Sequence, residues 1–509
     1  MQKTKSYWLE STPATNYSSL DKDISVDVAV IGGGLAGISA AWLLKQEGLR
    51  VIVLEADRIC QGTTGHSTAK ITSQHDLIYA TLAKEFGREK AQQYADANET
   101  AIKTMADIVQ HQKIDCDFQR KPAYVYTEQD KYVEEIQKEA EIAAKLGIAA
   151  EYAQDPGLPF AVKAALRFDG QAQFHPRKYV LSLAQAIPGE GCEIYENTKV
   201  TGIEEGIINT VSTDAGKKVR ADKVVLATHF PIHDALGFYF AKMYSERSYI
   251  LGVRAEGKLP EGMFISAESP GRSLRTQAAE EGELLLVGGE HHKTGAGKEE
   301  PHYEKLTEFA RSNFAVTDIP YRWSAQDYTT VDKIPYIGHI RKGKDNIFVA
   351  TGFRKWGIST STAAALIIRD LILWGSSPWQ DVFSPQRGLS LKSAGKLISI
   401  NADVAKELVA GKLAGADQGR VQPGEAKVVA GKGTKVGVYR DDKGELHQVD
   451  ITCTHFGCEL KWNSAERTWD CPCHGSRFSL TGSVVDGPAL KPLRTYPEEE
   501  GGDVDPDII

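Results

Sequence analysis

Four of the chain's seven cysteines fall between positions 453 and 473, in the segments Cys453-Thr454-His455-Phe456-Gly457-Cys458 and Cys471-Pro472-Cys473-His474-Gly475-Ser476. The other three, Cys60, Cys116 and Cys192, are scattered. An even spread would suggest a disulfide scaffold, whereas this clustering suggests a metal site. One Cys-x-His and one Cys-x-x-His element supply two thiolates and two imidazoles. That donor set suits tetrahedral zinc in a ribbon. It also suits a two-iron centre in which two cysteines hold one iron and two histidines the other. Zinc gives no role to the additional Cys458 and Cys473, nor to the Gly475-Ser476 pair after the last donor. The surrounding stretch, Lys427 to Pro497, reads as short strands separated by glycine and Asp-Asp-Lys-Gly turns, a small all-β domain.

A second pattern lies near the other end. Val26 to Ile31 is a short apolar run ending in glycines, the mark of a buried parallel strand. Leu35 to Gln46 follows as a helix with one apolar side, and Val51 to Leu54 as a second buried strand, which makes a βαβ unit. Gly32, Gly34 and Gly37 fit G-x-G-x-x-G at the turn between strand and helix. The first glycine permits the tight turn, the second lets backbone approach a pyrophosphate, and the third lets helix pack on strand. The N-terminus at Leu35-Ala36 offers N–H groups and partial positive charge to phosphates. Glu55 ends the second strand, where a carboxylate can accept both hydroxyls of a ribose. FAD and NAD share this fingerprint. The segment His291 to Gly297 lacks the strand–helix setting of a second one, so NAD(P)H is not expected as reductant.

The 509 residues allow about two to four domains. From Tyr79 to Leu146 the chain reads as mainly helical, and from about Phe160 to Ile334 sheet dominates. The longest apolar stretch, Ala363 to Trp374, is interrupted by Arg369 and Asp370 and is too short to span a bilayer. From Ser376 the composition shifts to a linker that carries a helix over about 398–413. Sixty Lys+Arg against 68 Asp+Glu leave a net charge of −8, which argues against nucleic acid or an anionic membrane surface as partner. A polar N-terminus without a signal-peptide core points to the cytoplasm.

Over approximately Ser6 to Gly375 the chain resembles the FAD-dependent oxidoreductases of the D-amino-acid oxidase and glycine oxidase superfamily. The resemblance rests on Asp27 to Asp57, on the loop Gly62-Thr63-Thr64-Gly65-His66-Ser67-Thr68-Ala69-Lys70, and on Asp332 to Gly357. It implies an α/β FAD-binding domain of Rossmann-like βαβ type with an inserted α+β, mainly antiparallel-sheet substrate domain. FAD-binding parts are then expected at about 20–80, 190–230 and 330–375, within a domain over 1–385. The cofactor contacts it implies are Gly32, Gly34, Ala36, Gly37, Glu55, Thr64, Val200 beside the adenine, and Gly352, Gly357 and Ile358 toward the isoalloxazine ring. Where the family often has Gly-His-Gly after the last strand, this chain has Gly352-Phe353-Arg354-Lys355-Trp356-Gly357. His66 is a candidate for covalent flavin attachment, as in dimethylglycine dehydrogenases, or a hydrogen-bonding loop residue. Lys70 is a candidate neighbour of flavin N5 or a surface lysine.

Lys427 to Pro497 resembles the Rieske [2Fe-2S] domains of quinol–cytochrome c complexes. The resemblance implies Cys453, His455, Cys471 and His474 as cluster ligands and a disulfide between Cys458 and Cys473. It also implies a proline loop at Asp486-Gly487-Pro488-Ala489, and a hydrogen bond from Ser476 to a bridging sulfur. Phe478 stands where high-potential members carry a tyrosine donor. The loss of a donor destabilises the reduced cluster, so a potential below the top of the range of about −150 to +300 mV is expected. The expected architecture closes with a linker over 386–423 and the Rieske domain over 424–509.

Flavin accepts two electrons at once and a Rieske cluster passes one at a time. The fusion therefore reads as a dehydrogenase that oxidises an amine or amino acid and unloads through the cluster to a one-electron acceptor, a protein or a quinone. Two other readings are an electron-transfer module fed by a protein donor and a redox-sensing binding protein.

Overall fold

A computed structural model describes residues 4–234, 237–295, 301–417, 420–431 and 434–496. Ala296 and Gly297 of the second glycine-rich segment, and Pro497 to Ile509 at the end of the expected Rieske domain, lie outside the described residues. The chain divides into two units. Met1–Gly237, Ser248–His291 and His302–Ser390 form the first, and Phe238–Arg247, His292–Pro301 and Leu391–Ile509 form the second.

In the first unit the strand Ile24–Ile31 is central. It pairs in parallel with Val51–Leu54 on one side and with Lys218–Leu226 on the other. Glu193–Tyr195 extends this parallel run beyond Val51–Leu54, and Ile347–Thr351 extends it beyond Lys218–Leu226. All four residues of Val51–Leu54 are buried, as a continuous apolar run requires when helices cover both faces of a parallel sheet. The helix Leu35–Gln46 packs against the helix Gly357–Trp374. Antiparallel strands Val200–Glu204, Asn209–Thr213 and Tyr336–His339 complete this eight-stranded sheet.

A second eight-stranded sheet holds the long strands Met243–Glu256, Arg272–Ala279, Gly282–Lys293 and Ala315–Thr330, and in it Met263–Ser266 pairs in parallel with Ala123–Thr127. Three helices, Tyr79–Phe86, Arg88–His111 and Val133–Lys145, occupy the segment read as helical. Ala123–Thr127 interrupts it as a strand with every residue buried. There the aromatic and β-branched residues prevail over their helical surroundings.

The apolar helix starts at Gly357, earlier than the 363–374 run suggests, because Ser359, Thr360, Ser361 and Thr362 are buried within it. It is thereby long and apolar enough to cross a membrane by length and composition, yet most of it lies inside the first unit's core.

In the second unit the helix runs Leu391–Leu413, seven residues longer than the 398–413 reading. Gly395 does not end it, since one glycine costs a helix only about 1 kcal/mol. Val404 and Leu408 pack this helix against the unit's core, so the stretch expected as a linker is built into the unit. Two antiparallel sheets follow: Ala426–Ala430, Lys435–Arg440 and Leu446–Asp450, then Lys461–Asn463, Thr468–Asp470, Arg477–Ser479 and Val484–Asp486. A Cβ on Gly437 would come within 2.6 Å of the Trp469 ring, which explains a glycine inside a strand.

Candidate functional site

The glycine turn of the first unit is shaped by main-chain contacts. Gly32 has φ +106°, and a Cβ there would lie 2.5 Å from Ala227 O. A Cβ on Gly37 would sit 1.9 Å from Gly32 O, so only glycine lets the helix close on the turn. Gly32, Gly34 and Ala36 are half-buried, whereas Gly33, Leu35 and Gly37 are buried. One side of the turn is thus packed and the other open, at a helix end whose first N–H groups have no partner within the helix. Thr64 Oγ1 accepts from Leu35 N at 3.0 Å and so stands at this end. Glu55 accepts from Gly33 N at 2.6 Å and from Asp57 N at 3.0 Å, and burial raises its pKa. Each carboxylate oxygen keeps a further lone pair for a ribose hydroxyl. The cradle fits a dinucleotide. Val200 is buried at the start of its strand, Gly352 takes φ +73°, and Gly357-Ile358 opens the long helix.

Beyond the cradle, His66 Nδ1 lies 2.9 Å from Gly62 O, inside its own loop. Lys70 is buried, not on the surface. Its Nζ donates to Phe264 O at 2.7 Å and to Ser273 Oγ at 2.5 Å. Burial, and then the nearby Arg275, bring its pKa down to about 7.

Several polar residues of this region carry no signal in the sequence. Thr72, Ser73, Gln74 and His75 are all buried despite their polarity. His75 Nδ1 lies 2.7 Å from the Tyr94 hydroxyl, and its ring stacks on Trp356 with centroids 5.0 Å apart. Burial, with Arg354 second, lowers the His75 pKa to about 3, so the ring is neutral. Arg354 donates to Asp76 Oδ2 at 2.6 Å, which ties the Gly352–Gly357 turn to the chain that follows Lys70. Such pairs link positions hundreds of residues apart, and no local pattern announces them.

In the second unit the two Cys/His loops are built alike. Cys453 N donates to Cys458 O (2.8 Å) and Gly457 N to Cys453 O (2.9 Å). Cys471 N donates to Ser476 O (2.8 Å) and Gly475 N to Cys471 O (3.0 Å). Gly457 (φ +74°) and Gly475 (φ +81°) supply the left-handed residue that each turn needs. Cys458 and Cys473 form a disulfide that joins the loops. Its sulfurs lie within 4.8 Å of Cys471 Sγ but, being oxidised, are not thiolate donors.

The loops bring the four expected ligands together. The imidazoles of His455 and His474 are 5.1 Å apart, nearly perpendicular. A hydrogen bond between the thiols of Cys453 and Cys471 lowers the Cys453 pKa to about 7 and raises that of Cys471. Burial pushes both imidazoles down to about 4, and His455 and then Lys293 add to the effect at His474, so both rings are neutral. His474 Nδ1 is buried with no hydrogen-bond partner among the described residues. Two adjoining thiols, two neutral imidazoles and an orphaned ring nitrogen fit a [2Fe-2S] cluster. Ser476 Oγ accepts from Ala489 N at 3.0 Å, which pins the proline loop to this site. Arg477, buried beneath it, donates to Asp470 and Asp486.

The family model for FAD dependent oxidoreductases matches residues 27–371, and that for the Rieske [2Fe-2S] domain matches residues 412–497. The chain belongs to the FAD dependent oxidoreductase family and carries a C-terminal Rieske domain. Its cofactors are FAD and a [2Fe-2S] cluster. YhfW of Bacillus subtilis (strain 168), named as a Rieske 2Fe-2S iron-sulfur protein, is 43% identical over 96% of this chain and 97% of its own length. Gamma-glutamylputrescine oxidoreductase of Escherichia coli (strain K12) is 22% identical over 73% of this chain and 89% of its own. The crystal structure of glycine oxidase from Geobacillus kaustophilus shares the fold, with a TM-score of 0.59 and 18% identity over 72% of this chain and 100% of that one.

Proposed function

We propose that this protein oxidises the C–N bond of an amine or amino acid at FAD and sends the electrons singly through the Rieske cluster to a one-electron acceptor, a protein or a quinone. The observation that carries this reading is the presence in one chain of a glycine cradle fit for a dinucleotide and a two-thiol, two-imidazole pocket fit for a [2Fe-2S] cluster. Gly32, Gly34, Ala36, Gly37, Glu55, Thr64, Val200, Gly352, Gly357 and Ile358 hold FAD in this assignment, and Cys453, His455, Cys471 and His474 hold the irons. The amine substrate in the name of the Escherichia coli relative supports the substrate class.

Bound FAD supplies a two-electron acceptor and the cluster a one-electron relay. The substrate becomes an imine with loss of a hydride equivalent and a proton. A protonated amine must first shed a proton, and Lys70, with a pKa of about 7, is a base matched to neutral pH.

Anaerobic titration with a panel of amines tests the function, with flavin absorbance and the cluster's EPR signal followed together. Bleaching of the flavin accompanied by the reduced-cluster signal is expected, with faster turnover on one-electron dyes than on air. Bleaching that never reaches the cluster would refute the relay. Reduction by a protein donor, with no response to any amine, would establish the electron-transfer module instead.

A further inference from the structure

His455 and His474 would stand between a bound cluster and any external electron acceptor, and in this protein the two imidazoles are unequally covered. His474 is only 6% exposed, while His455 is half-buried beside Phe456, which is 52% exposed. Phe456 packs on both imidazoles, with ring centroids 4.2 Å from His455 and 5.5 Å from His474, and further cover over His474 comes from elsewhere in the sequence. The ring of Phe240 meets His474 edge-on with centroids 5.8 Å apart, and meets Phe456 at 5.1 Å.

Phe240 is held in place along the whole length of its segment. Asn401 Nδ2 donates to Ala241 O at 2.9 Å, and Lys396 Nζ to the Tyr244 hydroxyl at 2.7 Å. The Arg247 guanidinium, itself buried, lies 3.8 Å from both Glu466 and Asp486. Thr294 N donates to Ser245 O at 3.1 Å, and Gly295 backs the second cluster loop so closely that a Cβ would lie 2.6 Å from Pro472 N.

We propose that Phe240 is a positioning residue that seals the His474 edge of the cluster, so that the single electron leaves the reduced cluster from the His455 edge, beside Phe456. The step moves one electron to an external one-electron acceptor and makes or breaks no bond. The proposal rests on the ligand assignment above. A strap of the chain's own residues excludes water and partners from one imidazole and thereby gives the cluster a single outlet.

Diethyl pyrocarbonate labelling of the intact, cluster-loaded protein, read by peptide mass spectrometry, tests the seal. His455 should be modified about tenfold faster than His474 in the wild type, as expected for one open and one protected group. Phe240→Ala should bring the two rates together, while Phe240→Leu should keep most of the protection. Equal rates in the wild type would overturn the proposal, even if Phe240→Ala fails to fold. So would an unchanged ratio in a folded Phe240→Ala. Protein labelled at His455 alone, once reduced with dithionite, should pass its electron to hexacyanoferrate(III) about tenfold more slowly, an added barrier of roughly 1.4 kcal/mol. An unchanged rate would refute the outlet. A wild-type protein without the EPR signal of a nitrogen-ligated [2Fe-2S] cluster would instead overturn the ligand assignment.

Discussion

The two cofactor cradles are made of different material. The one in the first unit is made chiefly of backbone: it exists because atoms are missing at Gly32 and Gly37, and main-chain N–H groups, with Glu55 and Thr64 beside them, form its polar surface. The one in the second unit is made of side chains, with the backbone serving to aim two cysteines and two histidines at one point. A backbone cradle fails when something is added to it, and a side-chain cradle when something is taken away.

The sharpest test of that contrast is Cys471→Ser. It should abolish the cluster's visible and EPR signals while flavin content stays near stoichiometric. Parallel loss of flavin, measured by absorbance after denaturation, would show that the cradles are not independent. Gly37→Ala should do the opposite. Its Cβ meets Gly32 O at 1.9 Å, so the helix must shift, at an overpacking cost of about 1–3 kcal/mol. Flavin should be lost and iron kept; normal flavin binding would mean that the turn can yield.

Lys70 tests whether the backbone cradle is helped by side-chain chemistry. Lys70→Met should lower kcat/KM by about 10²–10⁴-fold, as expected for removal of a general base. Lys70 is charged below its pKa of about 7 and neutral above it. Wild-type kcat/KM should therefore rise with pH through that value, and the inflection should vanish in Lys70→Met. An unchanged profile would exclude the lysine as the base. The smallest effect is expected for Phe478→Tyr, a fully buried position in the cluster's core. An added hydroxyl donor favours the reduced, more negative cluster, so the midpoint potential should rise. No change, or a fall, in a redox titration would refute the placement of that donor.

The same contrast governs what could be read before folding. Cys453, His455, Cys471 and His474 are recognisable because their chemistry is in their side chains, and the glycines of the turn because no other residue fits. The parallel strands Ile24–Ile31 and Val51–Leu54 are legible from their apolar runs, which end buried at Val28–Ile31 and throughout Val51–Leu54. The strand Ala123–Thr127 is not, because its identity comes from its neighbours in a sheet assembled from distant chain. Lys70 has the same sequence whether it faces water or Phe264 O. The stack of His75 on Trp356 and the cover of His474 by Phe240 join residues hundreds of positions apart, beyond the reach of any periodicity.

The covalent bond between Cys458 and Cys473 has a consequence for the life of the protein before it holds iron. Once that bond is made, the empty mould cannot fall open, and an assembly machine delivering two irons and two sulfides meets jaws already set to the right gap.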